Sequence, residues 1–105
     1  MNVLTIRSVD KLSDEQKNEI HFAFGMEQHT DYVFKDRSAS VYSATINIAS
    51  TDTVIERIVS ESIAFSDLRF IIDDLDLESN SIKRLEIRNG QIVKQLSSSL
   101  RWEAK

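Results

Sequence analysis

The chain has no cysteine and no proline, and its 105 residues include only two glycines and two histidines. Without cysteine there is no disulfide framework, no thiol nucleophile and no cysteine-based zinc site. With Gly25 and Gly90 as the only glycines, neither a phosphate-cradling loop nor a dinucleotide-binding fingerprint can be assembled. No Pro- or Gly-rich linker divides the sequence and no repeat with a period of roughly 20–50 residues is present, so residues 1–105 read as one domain. Long apolar runs are missing as well. The longest uncharged stretch, Ser38 to Thr51, is rich in Ser and Thr and falls well short of the ~20 apolar residues of a membrane span. Arg7 follows directly on Val3, Leu4 and Ile6, and no basic leader precedes them, so no signal peptide, no membrane role and a cytoplasmic location are expected.

What is present is an ordinary globular composition, 41% hydrophobic and 29% charged, which argues against a disordered chain. A chain of this length buries roughly 60–68% of the surface it exposes when unfolded, enough for a core without metal or disulfide staples. Charge is unevenly distributed. Residues 1–37 carry five Lys/Arg against seven Asp/Glu, residues 38–82 two against eight, and residues 83–105 six against two, for a net charge of −4.

Residues 2–8 alternate as a strand, with Leu4 and Ile6 on one face and Thr5 and Arg7 on the other. Ser13 and Gln16 have capping-box spacing, and Asp14 and Glu15 suit the positive end of a helix dipole. They predict a helix from about Asp14 to Met26, with Ile20, Ala23 and Phe24 buried and Gly25 as its end signal. Residues 31–36 and 39–49 alternate as two strands, the second with Tyr42, Ala44, Ile46 and Ile48 on its apolar face. Residues 53–65 fit both periods: Ile55, Ile58, Val59 and Ile63 make a helical stripe, but the β-branched content favours a strand. After Ser66 and Asp67, the spacing of Leu68, Ile71, Ile72 and Leu75 predicts a short helix to about Asp76.

Asn89-Gly90 is the preferred dipeptide of a two-residue hairpin turn. It predicts the pairs Arg88–Gln91, Ile87–Ile92 and Leu85–Lys94, with Ile92, Leu96, Leu100 and Trp102 on one side. The expected fold class is α+β: a mostly antiparallel sheet of about five to six strands ending in a hairpin, with one or two helices on one face.

Few residue sets could carry chemistry. Laid on a calcium-binding loop, Asp74, Asp76, Glu78 and Asn80 put Ser79 where glycine is required and Leu85 where a bidentate glutamate is required, so no metal site is expected. His21 and His29 lie eight residues apart, unlike a zinc pair, and read as surface residues of the first helix. Ser97, Ser98 and Ser99 lack a glycine elbow and a nearby histidine. Arg84, Arg88 and Arg101, with Gln91 and Gln95, form a small basic patch, but no aromatics are interleaved for base stacking and direct nucleic-acid binding is not expected. Trp102, the single Trp, suits either core packing or an interface anchor. Neither a catalytic residue nor a cofactor is assigned.

In build, across the whole chain, the sequence resembles the small, acidic, cysteine-free immunity proteins that bacteria make against their own secreted toxins, including those of contact-dependent growth inhibition. The resemblance transfers no individual residue. It implies an inhibitor that blocks the active site or substrate path of a basic toxin domain, in some cases a nuclease. The acidic segment supplies the matching charge: Asp67, Asp73, Asp74, Asp76 and Glu78 are the expected partner-binding residues, with Trp102 as an anchor. Two other readings compete, a small metal-independent hydrolase using His21 or His29 and a phage or mobile-element inhibitor of a nucleic-acid-handling complex.

Overall fold

A computed structural model describes residues 1–29, 34–35 and 40–99. In chain order the elements are β1 (Asn2–Ser8), α1 (Asp14–Ala23), a 3₁₀ turn (Met26–His29), β2 (Phe34–Lys35), β3 (Ser43–Ile48), α2 (Asp52–Glu61), a second 3₁₀ turn (Ser62–Phe65), β4 (Arg69–Asp76), β5 (Ser81–Arg88) and β6 (Gln91–Ser99). The strands form one antiparallel sheet in the order β2-β3-β1-β4-β5-β6. The core lies on one face of it, beneath α1 and α2, and the fold is α+β as expected. Leu100, Arg101 and Trp102 fall outside the described residues, and the strand expected over 31–36 is described only at β2.

The α1 capping box forms as the sequence predicts: the Ser13 hydroxyl accepts from the Gln16 amide at 3.2 Å, and the Gln16 side-chain oxygen accepts from the Ser13 amide at 3.0 Å. Ile20 and Phe24 are buried, and Gly25, with φ +72°, ends the helix.

Two segments exchange the identities expected of them. Residues 52–61 are helix, and residues 69–76 are strand. In a strand over 53–63, Arg57 and Glu61 would share a face with Ile55 and Val59, and Glu56 would share one with Val54 and Ile58, so no clean apolar face exists. Helical spacing instead brings Val54, Ile55 and Ile58 together into the core. β-Branching costs a few tenths of a kcal/mol per residue, whereas each buried aliphatic side chain contributes roughly 1.5–3 kcal/mol, so burial decides. In 68–76 the helical stripe would leave Phe70 pointing away from the core. Strand geometry buries Phe70 beside Ile72, and β4 pairs with both β1 and β5.

Phe70 completes an aromatic cluster. Its ring centroid is 5.0 Å from that of Phe24 and 6.4 Å from that of Phe65, while Phe24 lies 6.3 Å from Tyr42, all edge-to-face. Such pairs contribute about 0.5–1.5 kcal/mol each beyond the area they bury.

The terminal hairpin turns at Asn89 (φ 49°) and Gly90 (φ 78°), with Arg88–Gln91 and Ile87–Ile92 paired as predicted. Beyond them the register changes. Val93 is the extra residue of a bulge, so Leu85 pairs with Gln95 and Glu86 with Lys94. The bulge sends Leu96 to the face opposite Ile92, so the expected single apolar side of β6 is divided between two faces. At the tip, the Gly90 amide donates to the Ser62 hydroxyl at 2.8 Å, and a Cβ on Gly90 would stand 2.6 Å from Ile63 Cγ1. We therefore expect Gly90→Ala to cost about 1–3 kcal/mol in a urea titration, chiefly through its positive φ, and Asn89→Gly to change stability by under about 0.5 kcal/mol. An unchanged midpoint for Gly90→Ala would contradict the hairpin geometry.

Candidate functional site

The acidic segment does not form one surface. Because β4 is a strand, Asp73 and Asp74 point to opposite faces of the sheet. Asp73 lies on the face without helices and holds Arg84 with two parallel bonds, Arg84 Nε to Oδ1 at 2.6 Å and Nη2 to Oδ2 at 2.9 Å. Asp74 points under α2 and is buried; it accepts from Asn2 Nδ2 at 2.7 Å and from the Thr51 hydroxyl at 3.1 Å. Thr51 is the N-cap of α2, and its hydroxyl serves this carboxylate instead of a helix amide.

Asp76 closes the β4–β5 turn, accepting from the Glu78 and Ser79 amides at 3.0 and 3.3 Å. Hydrogen bonds from the Ser79 side chain and backbone, then from the Glu78 amide, hold its carboxyl below the ordinary range. Glu78 Oε1 sits 3.5 Å from the Met1 amino group. Asp67 is exposed just ahead of β4, more than ~25 Å of strand from the turn at Asp76. Four of the five expected acids thus have partners inside the fold.

The charge divides between faces rather than between segments. Cross-strand register places three rows on the open face: Ser43, Arg7, Ile71, Glu86 and Lys94; then Thr45, Thr5, Asp73, Arg84 and Leu96; then Asn47, Val3, Leu75, Ile82 and Ser98. Beyond the first row, Arg69 stands across from Arg88. This face carries Arg7, Arg69, Arg84, Arg88 and Lys94 against Asp73 and Glu86, a basic face on an acidic protein. The helical layer is the reverse: Asp14, Glu15, Glu19, Asp52, Glu56 and Glu61 stand against Lys17 and Arg57. Lys17 is buried and its Nζ lies 3.4 Å from Asp14 Oδ1. Of the patch expected from Arg84, Arg88, Gln91 and Gln95, the first three share the open face, and the bulge turns Gln95 to the other.

The sharpest local feature of the helical layer is Phe22, 69% exposed on α1. Glu15, Asn18 and Glu19 precede it by seven, four and three residues and share its outward stripe. Neither Phe22 nor the paired Arg69–Arg88 was singled out from the sequence. Phe22 was legible, since it lies two positions from Ile20, off the buried stripe. The basic face required strand register.

His21, expected at the surface, is half-buried, and its Nδ1 lies 2.9 Å from the Tyr42 hydroxyl. Tyr42 is itself buried, which pushes its pKa up and keeps the phenol protonated. Ser97 and Ser98 fall on opposite faces of β6. Among the described residues there is no cluster of three or more His, Asp or Glu placed to hold a metal, and no helix is long and apolar enough to cross a membrane. No known family matches the chain, and no curated protein or solved structure matches it.

The two neighbouring aspartates should therefore behave differently. Asp74→Ala strands the buried Thr51 hydroxyl and the half-buried Asn2 amide and is expected to cost about 2–3 kcal/mol by urea titration, whereas Asp73→Ala breaks a half-exposed pair and is expected to cost no more than about 1 kcal/mol. Equal losses would contradict the placement of Asp74 under α2. The Asp76 turn has a pH signature. A carboxyl with a lowered folded pKa stabilises the fold above its unfolded value, near about pH 4, and loses that contribution as pH falls through the folded value. The Ser79 amide resonance should move through that acidic window in wild type and not in Asp76→Ala.

Proposed function

We propose that the chain is a protein-binding inhibitor of the immunity-protein kind, and that it holds a basic partner, a toxin domain, on the outer surface of α1. The observation that carries this reading is Phe22, exposed in the midst of Glu15 and Glu19 on a helix with no basic residue on that stripe. An aromatic side chain contributes up to roughly 150–250 Å² of buried area on binding, the profile of an interface hot spot. The surrounding carboxylates supply what a hot spot alone lacks, since complementary charge speeds encounter and disfavours wrong partners. The acids expected to do this from β4 are committed within the fold; Glu15 and Glu19 lie outside the sheet and are exposed. A cytoplasmic location belongs to the same reading.

The test separates anchor from steering. A partner is first isolated on the immobilised wild-type chain, and its association is then followed on a biosensor. Glu15→Lys with Glu19→Lys should slow association by roughly ten-fold at 0.01 M salt, and the effect should fade above ~0.1 M as the Debye length shortens. Phe22→Ala should leave association nearly unchanged and speed dissociation by roughly thirty-fold, as loss of a hot spot of about 2 kcal/mol requires. A partner held equally by wild type and all variants would remove this face from the interface.

A further inference from the structure

The sheet has two unlike ends. At one, β2 is two residues long; at the other, β6 runs for nine residues, about 30 Å, with no strand beyond it among the described residues. Every residue from Gln91 to Ser98 is exposed, including Ile92 (46%), Val93 (50%) and Leu96 (56%). Proteins that keep such an edge solitary protect it with proline, several charges or a very short strand. β6 has one charge, Lys94, and its bulge at Val93 sits near the hairpin tip, leaving Lys94–Ser99 regular. Its outer backbone groups are thus ready to pair with another extended chain.

The charge around this edge selects the occupant. In β5 and β6, Lys83, Arg84, Arg88 and Lys94 stand against Glu86 alone, in a chain with a net charge of −4. Among the described residues only Arg84 of these cations has an ion-pair partner, Asp73. A groove lined by Ile71, Arg84, Glu86, Lys94 and Leu96 opens on the helix-free face directly beside β6. A strand added to β6 would direct alternate side chains over Lys94 and Leu96 at its mouth.

We propose that β6 is a second docking surface, which takes an extended acidic segment of a partner protein as a seventh strand. Carboxylates at alternate positions lie on the open face beside Lys94 and Arg88, and the apolar residues between them lie on the other face beside Ile92. A second copy of this chain is the less fitting occupant, because pairing β6 with β6 would bring two basic sheet ends together. Nucleic acid is less fitting too, since neither β5 nor β6 carries an aromatic side chain on which bases could stack.

The probes are capped eight-residue peptides of alternating Val and Glu, the Val/Lys counterpart, and the Val/Glu peptide N-methylated at alternate residues. By fluorescence anisotropy at low salt, the Val/Glu peptide should bind roughly ten-fold or more tightly than the Val/Lys peptide, and N-methylation should abolish binding, since main-chain bonds supply much of the affinity in strand addition. Hydrogen exchange should show new amide protection confined to β6. Lys94→Glu with Arg88→Glu should reverse the peptide preference, whereas Phe22→Ala should leave it unchanged, so failure here is distinct from failure of the α1 interface. The proposal is overturned if the N-methylated peptide binds equally, if the new protection falls outside β6, or if the free chain sediments as a dimer with β6 already protected, which would make a second copy the occupant.

Discussion

The structure depends on the alternation of β4. This strand lies between β1 and β5, so its register fixes which residues of three neighbouring strands face the helices. Phe70 and Ile72 send the required apolar groups inward, and Asp74 follows on the same face, where a carboxylate is costly unless its oxygens are bonded. Asn2 and Thr51 bond both oxygens, tying β1 and the start of α2 to the same strand. A slip of one residue would put Asp73 into the core and part Arg84 from its partner. The native register is the one in which both aspartates are satisfied.

That constraint explains which parts of the fold could be read from the sequence. β1, the capped start of α1, the apolar face of β3 and the Asn89-Gly90 turn each rest on a local signal that no distant contact opposes. The two middle segments lacked one. In 53–63 the β-branched residues pointed to strand, and only the misplacement of Glu56, Arg57 and Glu61 on both strand faces betrayed the helix. In 68–76 a four-residue apolar coincidence mimicked a helix, and Phe70, off that stripe, was the contrary signal. Asp74 compounded the error, because an inward aspartate breaks the alternation by which strands are recognised. Val93 shows a further limit: nothing local marks a bulge that depends on the partner strand.

The surface was less legible than the core, for a related reason. Charge counted along the chain shows an acidic middle and a basic end, yet strands interleave those segments and send neighbouring residues to opposite sides. Folding converts the linear asymmetry into one across the thickness of the molecule, with basic residues on the open sheet face and acidic ones on the helical layer. Arg7 joins Arg69 and Arg88 only because β1 and β4 are neighbours. Asp73 and Asp74, adjacent in sequence, serve different faces and neither stands free. An acidic run is therefore a poor guide to an acidic surface when it lies in a strand.

The most direct test of β4 as the organising strand is nuclear magnetic resonance of the whole chain, reading Cα shifts, nuclear Overhauser contacts and amide exchange together. The account predicts strand-type shifts over 69–76, helical shifts over 52–61, contacts of Asp73 with both Thr5 and Arg84, and the slowest-exchanging amides in β1 and β4. Sequential amide–amide contacts running through 68–76, with helical shifts there, would contradict it.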